Sequence, residues 1–289
     1  MACIRSNPQT GILHTFSLDE GTVDTYWHAA SVPGAPLILE FHGGGMVLGH
    51  GLQNDLFCQK LSESADASVI SVDYCTAPEH PYPEAIDQAV RLLNTIVHDA
   101  SVYSPQQKLI LMGFSGGATI AAAAALRCNA DRLGPHIDGL ILHYPYLDAA
   151  TDPADKPGPA SESLPTDVAR AFNQLYCAPE QYSEPYASPL TANDSMIRSL
   201  PFTALLMAES DFLCEEGKQF ARRLTDLNVP VYAHVIPKVS HGYVEDFFDK
   251  ALYEGRGGAS SGPAHNAMCE YAPTALAETI RVVSAISHE

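Results

Sequence analysis

Ser115 stands at the centre of Gly113-Phe114-Ser115-Gly116-Gly117, and Asp211 and His241 follow it later in the chain. A serine hydroxyl near neutral pH is a poor nucleophile. It attacks a carbonyl only when an imidazole takes its proton and a carboxylate holds that imidazole in the right tautomer. These three residue types can therefore carry out acyl transfer through a covalent acyl-serine. His42-Gly43-Gly44-Gly45 offers the remaining requirement. Three successive glycines free the backbone to aim N–H groups at one point, as an oxyanion hole or a phosphate cradle demands. A phosphate loop needs Lys and Ser/Thr after its glycines, whereas Met46-Val47-Leu48 follows here, so the oxyanion reading is the better one. Singly, each residue has a plainer role: Ser115 and Asp211 as helix caps, His241 as a loop histidine, the glycines as a flexible turn. Together they point to catalysis.

Groups so far apart in sequence need rigid elements to bring them together. The apolar run 108–112 reads as a strand and the alanine-rich stretch from 118 as a helix, which makes the serine motif a strand, a tight turn and a helix. Further strands are expected at 37–41, 68–73, 140–144, 202–208 and 231–236, alternating with helices at 54–64, 84–99 and 215–227. Segments 11–18 and 23–30 read as an antiparallel edge hairpin. The rhythm predicts an α/β fold with a mostly parallel central sheet and helices on both faces, its site beyond the carboxyl ends of the strands. Residues 149–200 are interrupted by many prolines and are too long for a plain connection, so an inserted cap is expected there within a single domain spanning 1–289. Residues 254–264 read as a mobile surface loop and 274–286 as a closing helix.

Composition narrows the function classes. With 34 Asp and Glu against 16 Lys and Arg, the formal charge of -18 repels phosphate backbones and anionic membranes, so no nucleic-acid or membrane partner is expected. No run approaches the ~18 apolar residues of a membrane span, and no signal-peptide core is evident, which predicts a cytoplasmic protein. Seven scattered cysteines suggest free thiols, and twelve histidines without metal-ligand spacing suggest no metal.

The order serine, aspartate, histidine is that of the α/β-hydrolases. Five motifs extend the likeness: His42 to Gly45, the proline-studded Asp73 to Glu84, Gly113 to Ala118, Asp211 to Gly217, and His241-Gly242-Tyr243. On these residues the chain resembles the hormone-sensitive-lipase-like group of α/β-hydrolases, over nearly its whole length from Pro36. The resemblance implies Ser115 as nucleophile, His241 as general base and acid, Asp211 as orienting carboxylate, and an oxyanion hole from Gly43, Gly44, Gly45 and Gly116. It implies no metal or organic cofactor, and Glu79 as a structural support of the site. Phe114 and Gly116 depart from the aspartate and alanine usual there, as do Cys75-Thr76 and Phe212 from Arg-Leu and proline. Only 41 residues precede His42, fewer than members with a helical amino-terminal cap usually have, so a rather open pocket is expected. Met46, Val47, Tyr146, Phe212 and Tyr243 are the candidates for its lining.

The activity these features favour is hydrolysis of a small or medium carboxylic ester, with a specialised metabolite as one option. The same scaffold also resembles dehydratases, cyclases, amidases and arylformamidases, and non-catalytic receptors that lack the histidine present here as His241. The oligomeric state is open, with a homodimer among the options.

Overall fold

Leu37–Phe41 (β3) and Leu109–Phe114 (β5) are buried along their whole length and lie side by side at the centre of the sheet. The computed structural model describes residues 9–161, 163–249 and 261–288. Its other strands are Ile12–Ser17 (β1), Thr22–His28 (β2), Ser68–Asp73 (β4), Gly139–His143 (β6), Phe202–Ser210 (β7) and Val231–Ser240 (β8). The order is β1-β2-β4-β3-β5-β6-β7-β8. Only the β1–β2 and β2–β4 pairings are antiparallel, so the expected edge hairpin joins an otherwise parallel sheet.

Alternation along the central strands divides the core in two. Leu37, Leu39, Leu109 and Leu111 face helices Glu84–His98 (α2), Gly116–Asn129 (α3) and Cys214–Asp226 (α6). Ile38, Ile110 and Met112 face Asp55–Ala65 (α1), Tyr243–Phe248 (α7) and Pro263–His288 (α8). Each such side chain contributes roughly 1.5–3 kcal/mol by leaving water. Helices thus cover both faces, as a parallel sheet requires. Between β6 and β7 lie the helix Thr166–Tyr176 (α4), two short 3-10 turns and Asp194–Ile197 (α5).

Two elements differ from expectation. The strand β8 does not stop at 236 but runs through Pro237 to Ser240, which an outermost strand tolerates because it pairs on one side only. Its register shifts between Ala208 and Ser210, where Lys238 takes a φ of 60° and donates its N–H to Glu209 Oε2 at 2.8 Å. This irregularity delivers Ser240 and His241 at the strand's end. The last helix begins at Pro263 rather than 274 and continues through Pro273, where Ala267, Met268, Ala272 and Ala275 bury one face. Of the mobile loop expected at 254–264, residues 254–260 lie outside the described residues.

Glu40 is the unusual residue of the core. It faces the α1 side, with no exposure, and accepts hydrogen bonds from Asn54 Nδ2 (2.7 Å) and Ser71 Oγ (2.6 Å). Burial pushes its carboxyl up to about 7, with Ser71 and Asn54 pulling it back and Glu245 adding to the rise. The folded chain therefore holds this proton to higher pH than the unfolded chain, whose ordinary value is 4.5. Stability from this group is greatest below the unfolded value and falls as pH rises through the folded one. Glu40→Gln should accordingly raise Tm at pH 8 through a gain on the order of 3 kcal/mol that fades toward pH 5. Thermal melts across this range check it, and a pH-independent difference would contradict it.

Candidate active site

Ser115 immediately follows β5 with φ 52° and ψ -120°, a conformation that side chains rarely adopt, and α3 starts at the next residue. The flanking glycines make the turn possible. A Cβ on Gly113 would stand 2.3 Å from the Gly117 carbonyl oxygen, and one on Gly117 would stand 2.1 Å from that of Phe41. The serine backbone is held from both sides, its N–H donating to His143 O at 3.0 Å and its carbonyl accepting from Tyr146 N–H at 3.3 Å.

Asp211 follows β7 and His241 follows β8, so all three side chains come from carboxyl ends of parallel strands. Ser115 Oγ lies 2.7 Å from His241 Nε2, and His241 Nδ1 lies 2.7 Å from Asp211 Oδ2. A carboxylate can only accept, so Nδ1 carries the proton and Nε2 is free to take one from Ser115. Asp211 is wholly buried and also accepts the Leu213 N–H through Oδ1 at 3.1 Å, so it serves the following helix and the histidine together.

The glycine segment lies directly against this line. Gly44 and Gly45 have φ values of 120° and 63°, and the Gly44 carbonyl accepts from Val47 and Leu48, closing a tight turn. Among the described residues the N–H groups of Gly44, Gly45 and Gly116 donate to no other group. A Cβ on Gly116 would stand 2.9 Å from Gly45 Cα, which sets the two glycines side by side next to Ser115. Gly43, whose N–H likewise donates to no other group among the described residues, packs closely, a Cβ there meeting Glu245 Oε1 at 2.8 Å. His42 braces the turn from below: Nδ1–H donates to the Gly43 carbonyl at 2.8 Å and its ring stacks on Tyr74 at 4.2 Å. Burial lowers the His42 imidazole to about 4, so it stays neutral at working pH.

The departures from the family pattern have local reasons. Phe114 is fully buried, stacked on His143 at 4.4 Å and edge-on to Phe57 at 5.3 Å, so aromatic packing supports the elbow where a carboxylate would have hydrogen-bonded. Glycine at 116 matches the methionine opposite, because an alanine Cβ would stand 2.5 Å from Met46 Sδ and 2.9 Å from Met46 N. Gly116→Ala should lower kcat by roughly tenfold to a hundredfold by displacing the glycine turn. Met46→Ala in the same chain should not restore it, since the backbone contact remains; steady-state kinetics of both variants check this, and full rescue would contradict it.

Of the expected lining residues, Met46 abuts Gly116 and Val47 is half-buried beside it. Tyr146, Phe212 and Tyr243 are 6%, 2% and 2% exposed and are engaged in packing: Tyr146 donates its hydroxyl to Asn173 Oδ1, Phe212 lies under Gly158, and Tyr243 packs edge-on to Tyr144. Phe172 of α4, unmarked in the sequence, lies on the glycine turn, its ring 2.3 Å from where a Cβ on Gly45 would be. Nothing in its local sequence distinguishes it from the core residues of an amphipathic helix. Ser163, from the same β6–β7 connection, donates to the His241 carbonyl at 2.5 Å. The buried Lys156 ammonium meets Glu216 and sits 4.2 Å over the Tyr146 ring, tying that connection to α6. With Ser115 and His241 each only 8% exposed, the triad is more enclosed than the open pocket expected. Glu79 is exposed and lines a separate groove with Glu20, Asp73 and Arg91, so it does not support the site.

Residues 38–245 match the family model of the α/β hydrolase fold. The chain belongs to the α/β-hydrolase fold family. It is similar to esterase LipI of Mycobacterium tuberculosis, 34% identical over 217 residues that make up 73% of this chain and 66%, just under two thirds, of that protein. It is 31% identical over 231 residues to carboxylesterase NlhH of the same organism, covering 77% of this chain and 70% of the relative. An esterase of Pyrobaculum calidifontis superposes on this chain with a TM-score of 0.81 at 25% identity, over 98% of this chain and 87% of that one. Among the described residues no helix is long and apolar enough to cross a membrane.

Proposed function

We propose that the chain is a serine carboxylesterase acting on a small or medium-sized ester. The observation that carries this reading is the unbroken line from Asp211 Oδ2 through His241 to Ser115 Oγ, with 2.7 Å at each link, beside free N–H groups of the glycine turn. Ser115 attacks the ester carbonyl while His241 Nε2 takes its proton, and Asp211 stabilises the imidazolium that forms. The developing oxyanion accepts from Gly44, Gly45 and Gly116, with the amino-terminal end of α3 adding its dipole. His241 then returns the proton to the leaving alcohol, and a water activated by the same nitrogen releases the acid. The similarity to proteins named esterase and carboxylesterase supports ester over amide as substrate.

In this reading residues 149–200 serve as a cap on a single domain, and the low exposure of Ser115 favours a compact substrate over a lipid aggregate. The six free cysteines among the described residues and the excess of acidic residues support a cytoplasmic setting. The test is turnover of p-nitrophenyl esters of increasing acyl length against the matching p-nitroanilides. Short esters should be cleaved far faster than the anilides. Equal rates on both would favour an amidase, and no turnover of either would remove the esterase reading.

A further inference from the structure

Tyr144 lies at the end of β6, fully buried, with its backbone at φ 31° in the left-handed region. Such a conformation costs a tyrosine on the order of 1 kcal/mol or more and persists only where the surroundings impose it. Its N–H donates to Leu206 O at 2.7 Å, which fixes the backbone, and its phenol donates to Glu245 Oε2. Between these two anchors the ring stands edge-on to the His241 imidazole, with centroids 5.1 Å apart and planes at 70°.

Glu245 occupies α7, four residues after His241, and is 2% exposed. One carboxylate oxygen accepts from Tyr144. The other, Oε1, faces Gly43, standing 2.8 Å from where a Cβ on that glycine would be. A single hydrogen-bonded pair thus touches both halves of the machinery, the general base on one side and the start of the glycine turn on the other.

We propose that Tyr144 and Glu245 form a positioning pair that holds the His241 imidazole and the Gly43 backbone in register for the reaction at Ser115. Neither residue touches the reacting atoms. The pair acts by fixing the ring's tilt and the height of the glycine turn, where misplacement by a fraction of an ångström already slows an attack step. Burial, with the Glu245 charge adding to it, pushes the Tyr144 phenol far above its usual range, so it remains a donor at any working pH. The Glu245 side chain reaches His241 through the Tyr144 ring, so neutralising it is a change the imidazole should sense. Asp211 from the loop after β7 meets the histidine directly, Tyr243 and Asp246 of α7 face Tyr144, and Glu40 of β3 faces Glu245. Ser115 Oγ meets the imidazole Nε2, and Ser163 Oγ donates to the His241 backbone carbonyl.

This inference rests on the catalytic reading of Ser115 and His241, so its test includes a readout that needs no substrate. Tyr144→Phe removes one buried oxygen and keeps the ring. It should lower kcat on a short p-nitrophenyl ester by roughly tenfold while KM stays within about twofold. Glu245→Gln should lower kcat similarly and move the titration of the His241 imidazole, followed by NMR, to lower pH. The double variant should lose no more than the worse single one, because the two residues act as a unit. Wild-type kcat and an unmoved His241 titration in folded variants would overturn the proposal, as would a lowered Tm with both of these unchanged. If Glu245→Gln does not fold, Tyr144→Phe carries the test on kcat. Absent turnover in the wild type would count against the esterase reading, whereas the His241 titration would still judge the pair.

Discussion

Replacing Ser115 with alanine is expected to lower kcat on short esters by roughly 10⁴-fold or more, leaving only what the glycine turn and substrate binding supply. The change removes one oxygen from a residue whose backbone is fixed by His143 and Tyr146, so the folded structure should persist. The loss is catalytic because the neighbours of Ser115 in the chain, Phe114 and Gly116, carry no nucleophile to replace it. Steady-state kinetics and a thermal melt of the same preparation test both halves of the statement. A variant that retains a tenth of wild-type turnover would remove Ser115 from the mechanism.

The second large effect is expected from Asp211→Asn. The side chain is wholly buried and Oδ1 already accepts from the Leu213 N–H, so the asparagine oxygen should keep that place and turn its amide nitrogen toward His241. An amide donates where the carboxylate accepted. His241 Nδ1 must then lose its proton and Nε2 must carry one, which leaves nothing to receive the proton of Ser115. A drop in kcat of roughly 10³- to 10⁴-fold follows, with KM little changed. Asp211→Ala should cost as much activity and in addition leave a cavity and an unpaired Leu213 N–H, lowering Tm. If Asp211→Asn kept more than a few per cent of activity, the aspartate would be a helix cap and not the partner of His241.

The site was legible in the sequence because its chemistry constrains the backbone as well as the side chains. A serine at positive φ between strand and helix admits only glycine at positions where a Cβ would strike Gly117 or Phe41, and that leaves a written trace. The three successive glycines beside it leave another. Asp211 and His241 were placed by chain order and by the apolar runs that precede them, which are buried strands in the folded protein.

What stayed hidden depends on contacts between segments far apart in the chain. Phe172 reads as one more apolar residue of α4, and only the fold lays it on Gly45. Glycine at 116 is a departure in the sequence, yet its reason is Met46, which packs against it. Tyr144 and Glu245 are separated by a hundred residues, and nothing local to either announces their bond. The short α7 and the passage of β8 and α8 through Pro237 and Pro273 were missed for a related reason. Local propensity marks proline as a break, while an outer strand position tolerates it, as does the exposed face of a long helix whose opposite face is buried.

The central claim is that His241 and Asp211 make Ser115 a nucleophile. The most direct measurement is intact mass after exposure to a fluorophosphonate, for the wild type, Ser115→Ala and Asp211→Asn. The account predicts one stoichiometric adduct on the wild type, mapped to Ser115, none on Ser115→Ala and only slow labelling of Asp211→Asn. An adduct on Ser115→Ala, or a wild type that remains unmodified, would contradict it.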